Sequence, residues 1–181
     1  FFIDNNIYVE NKMPFNQQMS FPAKMELRTT PDGIGLFRWP IQEIKNLYSK
    51  SIAHQNIELN ALNQKLEYEN FDVVDLYASF DRKKNEAFEI DIRGQVISYK
   101  EGDFYFNDVL LPTLDQDKVN IRVLLDRTTV EIFTDDGFSV FSTYAVSDWK
   151  NNQISVRSEK TLLFETFEVN KIKSIWPQAT Y

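Results

Sequence analysis

Residues 88–107 read FEIDIRGQVISYKEGDFYFN, and they decide the fold class because apolar and polar side chains alternate along them. Gly94-Gln95 fits a two-residue hairpin loop with glycine in its first position, and Glu101-Gly102 fits a second loop. Folding the chain at both loops gathers the apolar side chains on one face: Phe88, Ile90, Ile92, Ile97, Tyr99, Phe104 and Phe106. A shift by one residue would mix the two faces, so the agreement across both loops predicts an antiparallel three-stranded meander.

The same alternation recurs outside the meander. A second hairpin is predicted over residues 121–132, with Arg127-Thr128 as its turn, and Asp135-Asp136-Gly137 supplies the next turn. Further strands are predicted over residues 25–30, 36–39, 71–80, 153–157 and 162–169, and short helices only over 41–48 and 59–66. Many short strands joined by tight turns predict an all-β fold, a two-sheet antiparallel β-sandwich of the concanavalin A-like or jelly-roll-like kind with roughly 10–12 strands.

Composition excludes several classes of function. The 181 residues include 20 Lys and Arg against 27 Asp and Glu, and a net charge of -7 argues against nucleic-acid binding. With no Cys and one His, the chain cannot form disulfides, a Cys-rich zinc site or a histidine cluster on a metal. No apolar run is long enough to span a bilayer, so we expect no membrane insertion. We expect neither a cofactor nor a metal ion.

The amino-terminal residues differ in character from the rest. Residues 1–16 are rich in Asn and Asp and lack a clear partner strand, which is typical of the tail of an upstream domain or a linker. Residues 17–181 are predicted to form the sandwich domain. Because the chain opens on Phe1 and its first methionine is Met13, we expect it to be a piece of a longer polypeptide.

Candidate catalytic residues are few. Glu89 and Asp91 lie on the solvent face of the predicted meander, where carboxylates usually serve solubility. Asp126 and Glu131 flank the Arg127-Thr128 turn and could meet across it, but aspartate at a turn usually caps backbone N–H groups. His54 has no second histidine or cysteine to complete a ligand set. The sequence therefore predicts no catalytic residue.

Two aromatic residues are candidates for contact with a carbohydrate. Tyr105 points away from its neighbours Phe104 and Phe106 in the predicted strand, and Trp149 lies near a strand end. The alternative is that such rings fill the sandwich core.

Three segments together resemble one family. They are MPFNQQMSFP at residues 13–22, LRTTPDG at 27–33 continuing to WPIQEI at 39–44, and IRVLLDRTTVEIF at 121–133, which Asp136-Gly137 follows. In order and spacing they resemble the C-terminal β-sandwich module of glycoside hydrolase family 32, the family of the invertases, levanases and inulinases. The closing KSIW at 173–176 is similar too. One departure is Ala23-Lys24, where the family commonly has Arg-Glu after the proline.

The resemblance implies a division of labour. Family members place a five-bladed catalytic β-propeller before the sandwich, and the propeller supplies the carboxylates that cleave β-fructofuranosyl linkages with retention. This chain has no Asp-Pro dipeptide and no cysteine, so the family's Arg-Asp-Pro and Glu-Cys motifs are missing. We therefore expect a non-catalytic structural module of a secreted or periplasmic fructan- or sucrose-hydrolysing enzyme. The alternative is a stand-alone, lectin-like module that binds fructan or sucrose.

The expected partner is the propeller of the same polypeptide. Phe15, Met19, Phe21 and Pro22 form an apolar segment at the junction, and we expect them to pack against that domain. Left uncovered, such a surface would promote self-association of the isolated chain.

Overall fold

The computed structural model describes residues 18–145 and 150–174. The first half of the fold comprises β1 Ala23–Thr30, β2 Gly33–Pro40, β3 Tyr48–Glu58, α1 Leu59–Leu66, β4 Val74–Asp81, β5 Phe88–Ile92, β6 Gln95–Lys100 and β7 Asp103–Phe106. The second half continues with β8 Val109–Leu111, β9 Lys118–Leu125, β10 Thr129–Thr134, β11 Ser139–Tyr144, β12 Ile154–Arg157 and β13 Leu163–Ile172. Short 3₁₀ helices cover Gln42–Leu47, Arg82–Lys84 and Asp135–Gly137.

Two large antiparallel sheets form the sandwich. One has six strands in the order β11-β10-β9-β4-β13-β3, and the other has five in the order β12-β5-β6-β7-β8. Their facing side chains share one hydrophobic core, to which α1 adds Leu62 and Leu66. The prediction of an all-β, two-sheet antiparallel sandwich is confirmed.

Aromatic side chains fill the centre of this core. The ring of Phe80 on β4 meets Phe88 at a centroid distance of 5.0 Å and Tyr99 at 4.8 Å, both edge-on. Edge-to-face pairs of this kind add about 0.5–1.5 kcal/mol each beyond the area they bury. The seven apolar residues predicted to share a face in the meander are all buried. The rings therefore join the two sheets.

The first loop of the meander differs from the prediction. Ile92 pairs with Gln95, so Arg93-Gly94 forms the loop instead of Gly94-Gln95. Both loop residues have positive φ, 56° and 84°, as a type I′ turn requires. Arg93 tolerates this backbone because its side chain is buried, its Nε donating to the carbonyl of Asn151 at 3.0 Å. The register moved by two residues, which leaves the seven apolar side chains on their predicted face. Arg93 was predicted on the polar face and is buried instead.

Two other predicted turns have the expected pairing: Lys100 pairs with Asp103 across Glu101-Gly102, and Val130 pairs with Leu125 beyond Arg127-Thr128. The three-residue loop predicted at Asp135-Asp136-Gly137 is one residue longer, because Thr134 pairs with Ser139. Helix α1 has the predicted bounds, whereas the predicted helix over 41–48 is a 3₁₀ helix. Strand β3 was not predicted. It is an edge strand whose exposed side chains are mostly polar, so its hydrophobic alternation is weak.

The six-stranded sheet is buried on its outer face as well. There Leu124 and Phe133 form a second small core with Ile44, and Trp39 and Phe21 pack against it. Residues 18–47 thus cover the side of the sheet that faces away from the sandwich core. Within this segment, β1 and β2 pair only with each other among the described strands.

An ion pair lies under this cover. Arg122 donates from Nε to Asp75 Oδ1 at 2.9 Å and from a second guanidinium nitrogen to Oδ2 at 2.6 Å. The Tyr48 hydroxyl donates to the same Oδ2. The guanidinium also lies over the Trp39 ring, 5.3 Å from its centroid. The pair therefore links the sheet to the covering segment.

Asp75→Asn tests how much the fold depends on this pair. Removing one partner leaves the Arg122 charge buried without compensation, so we expect a loss of about 3–5 kcal/mol in the free energy of unfolding. The measurement is urea denaturation followed by circular dichroism.

Asp117→Asn is the matched control. Asp117 pairs with Lys83 at 2.8 Å, but both side chains are more than half exposed, and exposed pairs contribute about 0–1 kcal/mol. Equal losses for the two variants would contradict the role assigned to the buried pair.

Candidate functional site

The covering segment is held to the sandwich by backbone and side-chain hydrogen bonds. The strap, residues 18–22, donates the Phe21 N–H to Glu131 Oε1 at 2.6 Å, and Gln18 donates to the Thr128 hydroxyl. The Pro22 carbonyl accepts the Ile41 N–H at 3.1 Å, which closes the base of the β1–β2 hairpin. These bonds fix where the hairpin leaves the sheet.

The hairpin also touches the β10–β11 turn at close range. A Cβ atom at Gly137 would lie 2.0 Å from the carbonyl oxygen of Arg38, and Gly137 has a φ of 93°. Beside this contact the rings of Phe37 and Phe138 meet at 5.8 Å. The turn therefore accepts β2 only because residue 137 lacks a side chain.

One face of the hairpin is apolar and exposed. In the antiparallel pair Leu27 lies opposite Leu36, and cross-strand partners share a face. Leu27 is 73% exposed and Leu36 57%, and Met25 and Ile34 beside them are exposed as well. We call these four residues the apolar hairpin face. Large apolar side chains gathered on one exposed surface are typical of an interaction site.

The opposite face is polar with an aromatic floor. Lys24 pairs with Trp39, Glu26 with Phe37 and Arg28 with Gly35, and we call this set the polar hairpin face. A concave site of about 450 Å³ opens there, and its lining also includes residues of the 3₁₀ helix, Gln42 and Glu43.

The charges on the polar hairpin face form a network. Glu26 accepts from Arg28 Nε at 3.0 Å and from a second guanidinium nitrogen at 2.7 Å, and it pairs with Lys24. Hydrogen bonds from Lys24 and then Arg28 lower the pKa of Glu26 below its usual value. The Arg28 guanidinium lies 4.6 Å from the Phe37 ring centroid.

The predicted interface residues have different environments. Met19 is 93% exposed, and the Pro22 side chain is exposed. Phe21 is half-buried and packs on the second core of this same chain. Phe15 lies outside the described residues. Sequence reasoning missed the apolar hairpin face, although Met25-x-Leu27 and Ile34-x-Leu36 around the Pro31-Asp32-Gly33 turn carried the signal.

Of the two carbohydrate candidates, Tyr105 lies half-exposed in the middle of β7. The Lys100 ammonium lies 4.7 Å from the centroid of its ring and so occupies one face of it. Trp149 lies outside the described residues. The aromatic residues that line a concave site are Phe37 and Trp39.

The carboxylates near the turns have structural partners. Asp126 accepts the Arg127 N–H at 2.7 Å, while Glu131 is buried under the strap. Asp135 accepts the backbone N–H groups of Leu114 at 2.6 Å and Asn120 at 3.1 Å. Within residues 18–145 and 150–174, no three His, Asp or Glu side chains form a group that could hold a metal ion. The helices of that same part are too short or too polar to cross a membrane.

The two packed sheets and the appended hairpin define the class of protein, an all-β sandwich domain. Residues 73–175 match the family described as glycosyl hydrolases family 32 C terminal, and this match covers more than half of the chain. The chain belongs to that family, so the resemblance noted from the sequence is confirmed. Curated protein sequences gave no match.

Solved structures of family enzymes share the fold. An exo-inulinase from Aspergillus awamori aligns with a TM-score of 0.70 and 16% identity over 90% of this chain and 37% of its own. Sucrose-6-phosphate hydrolase from Lactobacillus gasseri aligns at 0.64 with 14% identity, over 84% of this chain and 33% of its own. Fructan 1-exohydrolase IIa from Cichorium intybus aligns at 0.55 with 13% identity, over 85% and 41%. The chain thus spans about a third to two fifths of those enzymes.

Glu131→Gln tests whether the buried carboxylate under the strap destabilises the fold when it ionises. Burial raises the pKa of Glu131, and the hydrogen bonds from Phe21 and Ser142 only partly oppose this. Because the pKa is higher in the folded state than in the unfolded chain, the protonated carboxyl contributes stability at pH values below the unfolded-state pKa. This contribution is lost as pH rises through the folded-state pKa. Glutamine keeps an oxygen for the strap but cannot ionise. As pH rises above the ordinary range of a glutamate pKa, we expect the variant to gain stability relative to the parent in urea denaturation.

Glu26→Gln is the control, and its stability relative to the parent should change with pH in the opposite direction. The pKa of Glu26 is lowered, so its contribution is present at high pH and lost as pH falls. This variant should lose stability relative to the parent as pH rises. Equal free energies of unfolding for the Glu131→Gln variant and the parent at every pH would contradict the destabilising role assigned to the ionised Glu131 carboxylate.

Proposed function

We propose that this chain is a non-catalytic structural β-sandwich module of a fructan- or sucrose-hydrolysing glycoside hydrolase. In this proposal it packs against a catalytic β-propeller of the same polypeptide and stabilises it. The observation that carries the proposal is the apolar hairpin face, because four large apolar side chains there have no cover from the described residues.

The comparisons support a large partner. Most of each matched enzyme lies outside the region that this chain aligns with, so those chains contain a further, larger part. A domain of that size can offer an apolar surface to the hairpin, and burial of an apolar interface fixes two domains relative to each other. In the proposal, residues 1–16 are the tail of the propeller or the linker that connects it to the sandwich domain. Met19 contributes to the interface between the two domains. In this proposal the parent enzyme is secreted or periplasmic, where a polymeric substrate can reach it.

The catalytic role belongs to the partner in this proposal. Of the candidate carboxylates, Asp126 caps a turn and Glu131 anchors the strap. Asp91 accepts the Gly94 N–H at 2.7 Å, and Glu89 lies exposed on β5. Groups held in this way serve the fold, and nothing in their arrangement resembles two carboxyls flanking a sugar.

The alternative function is a stand-alone, lectin-like fructan-binding module. The concave site on the polar hairpin face favours a carbohydrate contact. The apolar hairpin face distinguishes the two functions, since a module that works alone needs no exposed apolar sheet.

The double variant Leu27→Lys, Leu36→Lys tests the interface. In the isolated chain we expect concentration-dependent self-association by light scattering, and the two lysines should abolish it because they charge the apolar face. Tyr68→Lys is the matched control, since Tyr68 is 86% exposed and lies outside the hairpin. These positions are better probes than Phe21→Asp, which would place a charge beside the second core. A parent chain that stays monomeric at every concentration would count against the interface.

In the longer polypeptide that the proposal requires, the same double variant should weaken the domain contact. Burial of each leucine is worth about 1.5–3 kcal/mol, so the temperature at which sucrose hydrolysis is lost should fall. Below that temperature kcat/KM should stay unchanged. An unaltered inactivation temperature would show that the hairpin does not meet the catalytic domain.

Activity assays test the non-catalytic role. The purified 181-residue chain should release no fructose from sucrose, levan or inulin, because the family's catalytic motifs are missing from its sequence. Reducing-sugar detection and chromatography measure the product. Release that survives repurification and disappears on a single carboxylate substitution would overturn the proposal.

A further inference from the structure

The polar hairpin face has the chemistry of a ligand site, and it lies on the opposite side of the hairpin from the apolar face. Its floor is aromatic: Trp39 is half-buried and Phe37 is buried, and both line the concave site. Trp39 is held from below, edge-on to Phe133 at 6.0 Å and to Tyr77 at 6.5 Å. A ring fixed by its neighbours can bind a ligand without losing rotamer freedom.

The rim supplies hydrogen-bonding groups of both kinds. Lys24 and Arg28 can only donate, Glu26 can only accept, and the Gln42 amide does both. Lys24 and Gln42 are exposed at the rim, so their polar atoms are accessible to a ligand. The lowered pKa of Glu26 keeps that acceptor ionised at neutral pH.

The charges of the lining decide the class of ligand. Two basic side chains, Lys24 and Arg28, face two acidic ones, Glu26 and Glu43, so the formal charges cancel. An anion such as phosphate would meet both carboxylates, and a cation would meet the ammonium and the guanidinium. A neutral molecule with many hydroxyl groups satisfies donors and acceptors together, and its C–H faces suit an aromatic floor.

From this arrangement we propose that the polar hairpin face binds a neutral oligosaccharide through Trp39, Lys24, Glu26 and Gln42. The lining itself supports the class of ligand, a neutral saccharide. The narrower assignment to a short fructose oligosaccharide rests on the proposed function. The volume of about 450 Å³ accommodates two or three sugar units. The site gives the module a sugar contact separate from any catalytic pocket.

The test is a titration of the 181-residue chain with the trisaccharide 1-kestose. Calorimetry should give a dissociation constant of about 1 mM or tighter. The double variant Lys24→Ala, Gln42→Ala should weaken binding at least tenfold, because it removes a donor and an amide from the rim and leaves the floor intact. The matched control is Lys100→Ala with Tyr105→Ala, which removes the cation–π pair between β6 and β7 and should bind like the parent. The rim variant should keep the circular dichroism spectrum of the parent and a single cooperative thermal transition, which shows that it is folded.

Fluorescence provides an independent readout. The chain has three tryptophans, and Trp149→Phe with Trp176→Phe leaves Trp39 as the sole indole. Saturation with 1-kestose should shift or quench its emission, and the rim variant should remove this response. No response in either assay, or loss of binding in the Tyr105 control, would overturn the site.

Maltotriose separates this proposal from the proposed function. Maltotriose binding that depends on Lys24 and Gln42, without binding of 1-kestose, would overturn the fructose assignment and count against a fructan-hydrolysing parent. Absence of binding to both sugars would overturn the site alone, because the apolar hairpin face is tested separately by self-association.

Discussion

The fold depends on a sheet that is buried on both of its faces. The six-stranded sheet uses one face for the sandwich core, but its other face carries Leu124, Phe133 and the Asp75–Arg122 ion pair. Exposed to water, that face would leave an apolar cluster uncovered. Residues 18–47 supply the cover, and they do so by placing Trp39 over the guanidinium of Arg122. The position of the hairpin follows from this requirement.

The parts of the fold that sequence predicted are those with strong local signals. Alternation over residues 88–107 identified the apolar face of the meander, and the bounds of α1 were correct. The loop at Arg93-Gly94 was missed because its stability comes from a distant contact, the burial of Arg93 against residue 151. Strand β3 was missed because polar residues occupy both of its faces and Asn56, with a φ of 49°, interrupts the alternation before Ile57. Long-range packing of this kind leaves no trace in local spacing.

The same limit applies to the candidate site. The sequence predicted an interface in the apolar run around Phe21, and that half-buried side chain packs in part on the second core of this chain. Whether Met25, Leu27, Ile34 and Leu36 point inward or outward depends on how the hairpin attaches to the sheet, which periodicity cannot show. The aromatic floor was equally hidden, since Trp39 becomes part of a concave site only through the 3₁₀ helix that follows β2. The family assignment, in contrast, rested on ordered motifs and needed no geometry.

The close approach of Gly137 to the Arg38 carbonyl has a consequence for protein engineering. A chimaeric enzyme whose crossover lies between β2 and β3 would pair a hairpin from one parent with a β10–β11 turn from another. Any residue larger than glycine at the position of Gly137 would then collide with the foreign main chain. Crossovers placed before residue 18 keep the two surfaces together, so that is where exchange of these modules between enzymes should be made.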